Sequence, residues 1–192
     1  MKFDIILAGV GGQGVLSVSA IIASAAMHEG LAVKQSEVHG MSQRGGEVQA
    51  HLRLSDKPIA SDLIPRGSAS LILSMEPLES LRYLSYLSES GTVLTATDPV
   101  ENFSSYPAIE GVLAQIRSLP RAILVDAETL ARQAGSARAT NMVMVGAAAH
   151  LLPVKVESLE LNVRQVFGSK GDKIVETNLK ALAAGRQAAE GR

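Results

Sequence analysis

Residues 2–36, KFDIILAGVGGQGVLSVSAIIASAAMHEGLAVKQS, decide the fold. Lys2–Ala8 is a β-branched and aliphatic run that ends at glycines, the pattern of a buried strand. Gln13–Glu29 then carries Val15, Val18, Ile22 and Ala25 along one helical face and stops at Gly30. Leu31–Ser36 is a second strand. A strand, a helix and a strand in so short a span predict a right-handed parallel crossover, a Rossmann-like opening.

The rest of the chain continues in the same style. Glu47–Leu54 (EVQAHLRL) alternates like a half-exposed strand, with Val48, Ala50, Leu52 and Leu54 on one side and Gln49, His51 and Arg53 on the other. Ser68–Met75, Thr92–Thr95 and Ala122–Val125 are further strands. Pro77–Leu87 is a helix with Leu78, Leu81, Leu84 and Leu87 inward, and Ile109–Ser118 and Glu128–Gln133 are short helices. Asn141–Leu152 is an almost uncharged helix ended by Pro153, and Val156–Phe167 and Asp172–Ala189 are amphipathic. With no repeat, low-complexity tract or linker, residues 1–192 read as a single α/β domain. Its expected architecture is three layers, α/β/α, around a mostly parallel sheet with helices on both faces. The two uncharged helices, Gln13–Met27 and Asn141–Leu152, are either central and covered by neighbours or turned towards a partner subunit.

Composition narrows the function. Eighteen basic and 19 acidic side chains give a formal net charge of -1, which draws in neither nucleic acid nor anionic lipid. Aromatic content of 3% leaves few stacking platforms for single-stranded nucleic acid. The chain has no cysteine, so it can supply no disulfide, zinc ribbon or iron–sulfur ligand. Ile5–Met27 is uncharged, but glycines at 9–14 and serines at 17, 19 and 24 interrupt it as a membrane span. Asp4 and the same glycines spoil a signal peptide, and a cytoplasmic protein is expected.

Two glycine stretches carry the candidate chemistry. Gly9, Gly11, Gly12, Gln13 and Gly14 lie at a strand-to-helix turn, where glycines allow positive φ and a helix N-terminus attracts phosphate. Glu37 falls where a dinucleotide site would place its ribose-binding acid. The loop therefore admits a structural turn or subunit contact, an anion site, or a nicotinamide or flavin dinucleotide site. Beyond Glu37 comes HGMSQRGG at 39–46 in place of a second crossover helix, and no set of hydride-transfer residues follows. In that stretch Arg44 with the N–H groups of Gly45 and Gly46 can grip a phosphate or carboxylate, flanked by His39 and Gln43. The alternative is an Arg44 paired with Glu37 or Glu47 above glycines that merely turn the chain. The four histidines show no metal-ligand spacing, and no catalytic nucleophile stands out.

GVGGQGV at 9–15, EVHGMSQRGGEVQAHLRL at 37–54, SMEPLESLR at 74–82, TNMVMVGAAA at 140–149 and IVETNLKAL at 174–182 together resemble the gamma-domain family of 2-oxoacid:ferredoxin oxidoreductases. The likeness spans almost the whole chain, whose length is that of a free-standing small subunit of the indolepyruvate branch. The resemblance implies thiamine-dependent decarboxylation of a 2-oxoacid, acyl transfer to coenzyme A, and electrons passed through iron–sulfur clusters to ferredoxin. It also implies that thiamine diphosphate, magnesium and the clusters belong to a large alpha subunit. This chain then holds no cofactor alone, is inactive by itself, and self-associates through its apolar helices when isolated. A stand-alone dinucleotide-binding module and a pure scaffold are the competing possibilities.

Overall fold

The computed structural model describes residues 1–39, 45–101 and 103–190, with the backbone alone at His39. Strands β1 (Lys2–Val10), β2 (Ala32–His39), β3 (Glu47–Ser55), β4 (Ala69–Ser74), β5 (Leu87–Ala96) and β6 (Ala122–Val125) form one sheet in the order β2-β3-β1-β4-β5-β6. The β1·β4, β4·β5 and β5·β6 pairs are parallel. The β1·β3 and β3·β2 pairs are antiparallel, so the sheet is mixed.

Helix α1 (Val15–His28) carries the chain from β1 to β2 in the expected direction, but β2 is not β1's neighbour. Only residues 40–46 separate β2 from β3, too few for a crossover helix, so β3 must return antiparallel beside β2. It fills the position next to β1, in register from Lys2↔Ser55 to Val10↔Glu47.

Alternation along the central strands splits the core in two. Ile5 and Leu7 of β1 and Leu71 and Leu73 of β4 face α1, α4 (Ala127–Gln133), α5 (Thr140–Ala148), α6 (Val156–Phe167) and α7 (Asp172–Ala189). Ile6, Ala8, Ile72 and Val93 face the other way, towards α2 (Pro77–Arg82) and α3 (Ile109–Arg117). The expected helix over Pro77–Leu87 stops at Arg82 and continues as a single 3-10 turn, Leu84–Tyr86. Leu78, Leu81, Leu84 and Leu87 nonetheless pack on the second core. No helix among the described residues is long and apolar enough to cross a membrane.

The uncharged α5 is covered by its neighbours: Met142 through Ala148 are all buried. Glycine makes this possible where α5 crosses α7. A Cβ at Gly146 would overlap the Leu182 carbonyl, and one at Gly185 would overlap the Val143 carbonyl. The two backbones therefore touch directly. Helix α1 differs, because its outward side shows Ser17, Ala20 and Met27, the last 63% exposed.

Strand β3 is not half-exposed as its alternation suggests. Its polar side is covered as well, by the loop over residues 56–66 and by Tyr86. The Arg53 guanidinium grips the buried Asp4 through Nε at 3.0 Å and Nη2 at 3.2 Å, and its Nη1 donates to the carbonyls of Ser61 and Leu63 at 2.9 Å each. That bidentate pairing makes a buried carboxylate tolerable. His51 meets the Tyr86 ring edge-on at 5.4 Å, and its Nδ1 accepts the Ile64 N–H at 2.9 Å.

Two predictions follow from this packing. Gly146→Ala or Gly185→Ala must force α5 and α7 apart, and overpacking of this kind costs about 1–3 kcal/mol. The loss is read as a lower urea midpoint, and an unchanged midpoint contradicts the contact. Burial lowers the His51 pKa below its ordinary 6.5, with Asp62 opposing. The unfolded chain thus binds more protons in that window, so His51's contribution is whole above pH 6.5 and is lost as the pH falls below it. Melting temperatures from pH 7.5 to 5.5 should fall less steeply for His51→Asn than for the native chain. Equal slopes would remove His51 as the cause.

Candidate functional site

The turn from β1 into α1 is built from close approaches that only glycine permits. A Cβ at Gly9 would stand 2.8 Å from Val15 Cγ2, so α1 packs hard on the strand end. Gly12 and Gly14 have φ of 102° and 77°, a region costly for other residues. The Asn141 amide lies where a Gly14 side chain would be, and its Nδ2 donates to the Gly14 carbonyl at 3.3 Å.

Gln13 works inward. Its Oε1 accepts the Val10 N–H at 2.8 Å and its Nε2 donates to the Met75 carbonyl at 3.0 Å, clamping the ends of β1 and β4 together. The two glycine stretches meet as well: Gly11 N–H donates to Gly46 O at 2.8 Å, and Gly45 N–H to Gly11 O at 3.4 Å. Structure thus brings Gly9, Gly11, Gly12, Gln13, Gly14, Gly45 and Gly46 to one corner. It also consumes the Gly11 and Gly45 amides in extending the β1·β3 ladder, so the expected nest of Gly45 and Gly46 loses its first donor. His39 reaches the same edge through its backbone, paired with Val48, which pairs with Gly9. The His39 side chain, Gln43 and Arg44 lie outside the described residues.

Beside this corner opens a cleft of about 380 Å³, at the carboxyl ends of the parallel strands where ligands sit in such sheets. Gly12 and Gln13 form one wall, and Asp98–Val100 after β5 form the other. Glu128, Arg138, Thr140 and Asn141 close it from the helical side. Gly12 is exposed to it, and a Cβ there would meet nothing within 4 Å. Gly14 occupies the cap position of α1 without a side-chain cap, and in the first turn the Ser17 N–H donates to the Gly14 carbonyl at 2.9 Å. Arg138 is exposed and makes no ion pair among the described residues. Across the cleft, Asp98 accepts the Glu128 N–H at 3.1 Å, and burial raises its pKa.

The rim is held by Glu76, which is 1% exposed. Its carboxylate caps α2 at the Glu79 N–H, accepts the Val100 N–H at 3.4 Å and receives the Tyr106 hydroxyl. No motif in the sequence gives Glu76, Asp98, Arg138 or Asn141 an individual role. The available signals were the Asp98-Pro99 turn and a polar residue opening an otherwise apolar helix. Among the described residues, no group of three or more His, Asp or Glu is placed to hold a metal.

The dinucleotide geometry is absent from this corner. Glu37 pairs with Ala50 and Ala50 with Leu7, which puts Glu37 two residues short of Gly9. With β3 between them, it also stands two strand spacings, about 10 Å, from β1.

Residues 4–188 match the family described as pyruvate ferredoxin/flavodoxin oxidoreductase. The chain is 40% identical over 202 aligned positions to indolepyruvate oxidoreductase subunit IorB of Archaeoglobus fulgidus, covering 100% of this chain and 98% of that protein. Its fold is that of pyruvate oxidoreductase subunit PORC of Thermotoga maritima, with a TM-score of 0.75 at 23% identity over 97% and 96% of the two chains. It likewise superposes, with a TM-score of 0.79 at 20% identity, on a 2-oxoglutarate:ferredoxin oxidoreductase from Magnetococcus marinus that was solved with 2-oxoglutarate, coenzyme A and succinyl-CoA bound. In that case all of this chain corresponds to 31% of a longer one. The chain belongs to the pyruvate ferredoxin/flavodoxin oxidoreductase family, and it aligns with 98% of its indolepyruvate oxidoreductase relative.

Proposed function

We propose that this chain is the small subunit of an aryl-2-oxoacid:ferredoxin oxidoreductase, with indolepyruvate as the substrate class and coenzyme A as the acyl acceptor. The observation that carries the proposal is the 40% identity to an indolepyruvate oxidoreductase subunit across 100% of this chain and 98% of that one. The coenzyme A complex of the Magnetococcus marinus relative supports the acceptor.

In the proposed assembly a large alpha subunit carries thiamine diphosphate, magnesium and the iron–sulfur clusters, which supply decarboxylation and the electron path to ferredoxin. With no cysteine among its 192 residues, this chain has no thiolate for a cluster. Its own contribution is a surface for anions. Gly12 leaves the cleft open above the loop, the positive end of the α1 dipole favours negative charge, and Arg138 adds a cation at a rim that Asp98 and Glu128 also line. Arg44, two residues before Gly46 in the chain, belongs to the same group in this proposal, with His39 and Gln43. The outward side of α1, uncharged and exposed at Ser17, Ala20 and Met27, is the face assigned to the partner subunit.

The test is kinetic, in the complex rebuilt from both subunits. Losing one charge-assisted bond to a phosphate costs about 1.5–3 kcal/mol, so Arg44→Ala or Arg138→Ala should raise the KM for coenzyme A about tenfold or more. The KM for the 2-oxoacid should stay unchanged. If both variants assemble normally and keep the native coenzyme A KM, the anion-facing role is wrong.

A further inference from the structure

A second cleft, of about 460 Å³, opens between the end of α4, the end of α6 and the start of α7. Its charged lining residues are Arg138, Lys170 and Lys173, and no acid lines it. In a chain of net charge -1 this is a local concentration of cations. Lys170 and Lys173 are exposed and make no ion pair among the described residues. Lys173 lies in the first turn of α7, where the helix dipole disfavours a cation. Asp172 shares that turn but does not line the cleft. The floor is apolar: Phe167 is half-buried with the Lys170 ammonium 5.2 Å from its ring centre, and Ile174 is 41% exposed beside it. Asn178 is buried against the same space and gives its amide N–H to the Ile174 carbonyl. Its side-chain oxygen accepts no hydrogen bond from the described residues.

We propose that this cleft binds a small amphipathic anion, a carboxylate or phosphate joined to a flat apolar body. The anionic group sits among Arg138, Lys170 and Lys173, where it relieves their mutual repulsion and the unfavourable dipole at the start of α7. The apolar body lies on Phe167 and Ile174, and the volume falls within the ordinary range for small-molecule sites. The site goes beyond the role given above to the glycine corner and shares only Arg138 with that cleft.

An aryl carboxylate and a nucleoside phosphate both answer this description, and one titration separates them. Purified full-length chain is titrated with indole-3-acetate, with AMP, and with neutral indole as the uncharged control, by calorimetry and by amide shift mapping. At least one anion should bind saturably with a Kd of about 1 mM or tighter, and indole should bind about tenfold more weakly or not at all. The shifts should centre on Lys170, Lys173 and Asn178, and the tighter anion identifies the source. The exposed double variant Lys170→Glu/Lys173→Glu should weaken that binding about tenfold or more, with an unchanged melting temperature showing that the fold survives. If neither anion binds, if indole binds as well as the anions, or if the double variant binds as tightly as the native chain, the proposal is overturned. Because Lys170 and Lys173 lie outside the glycine corner, any of those failures leaves the coenzyme A kinetics to be judged separately.

Discussion

The hydrogen bond from Gly11 to Gly46 is the constraint on which the functional corner depends. It carries the β1·β3 ladder one step beyond Val10↔Glu47, so the chain enters the turn with its direction already set. The positive φ at Gly12 and Gly14 then swings the chain into α1, and Gln13 locks the turn to β4 through Val10 and Met75. Together these contacts set where α1 starts and hold Gly12 and Gln13 against the cleft. The glycines are structural first. The surface they leave open above Gly12 is what remains for a ligand.

A second glycine contact supports this corner from below. Because Gly146 and Gly185 let α5 and α7 meet backbone to backbone, α5 can sink fully into the core. Its amino end then emerges against the glycine loop, where Asn141 reaches the Gly14 carbonyl and Thr140 and Arg138 line the cleft. The opposite rim hangs on the buried Glu76, which ties the segment after β5 to the start of α2. Helix packing and the cleft are thus one system: α5 is apolar because it is a pillar, and its polar first residues mark where the pillar meets the site.

Much of this was legible in the sequence, and the rest was hidden for definite reasons. Most elements from β1 to α7 follow from periodicity, but the helix expected over Pro77–Leu87 ends at Arg82 and β5 begins at Leu87, ahead of the expected Thr92. The position of β3 between β1 and β2 was not legible, because strand order depends on which gap a returning hairpin fills and not on the strand's own residues. The polar side of β3 misled for a similar reason: alternation cannot show that Asp4, 49 residues earlier than Arg53, supplies the charge that lets that side be covered. In the site, the glycines and Gln13 were visible as a motif. Asp98, Arg138 and Asn141 come from three separate segments and converge only through the fold. Gln13 binds the Val10 N–H and the Met75 carbonyl through its amide while it also lines the cleft.

In the complex proposed above, this chain supplies shape and an anion-facing corner to a catalyst whose redox groups reside in another chain. The most direct measurement is an add-back assay with purified subunits, following 2-oxoacid-dependent reduction of ferredoxin in the presence of coenzyme A. The account predicts no turnover by this chain alone or by the large subunit alone, with activity appearing and saturating at a fixed ratio as the two are mixed. Turnover by this chain unaided, or full activity of the large subunit without it, would contradict the account.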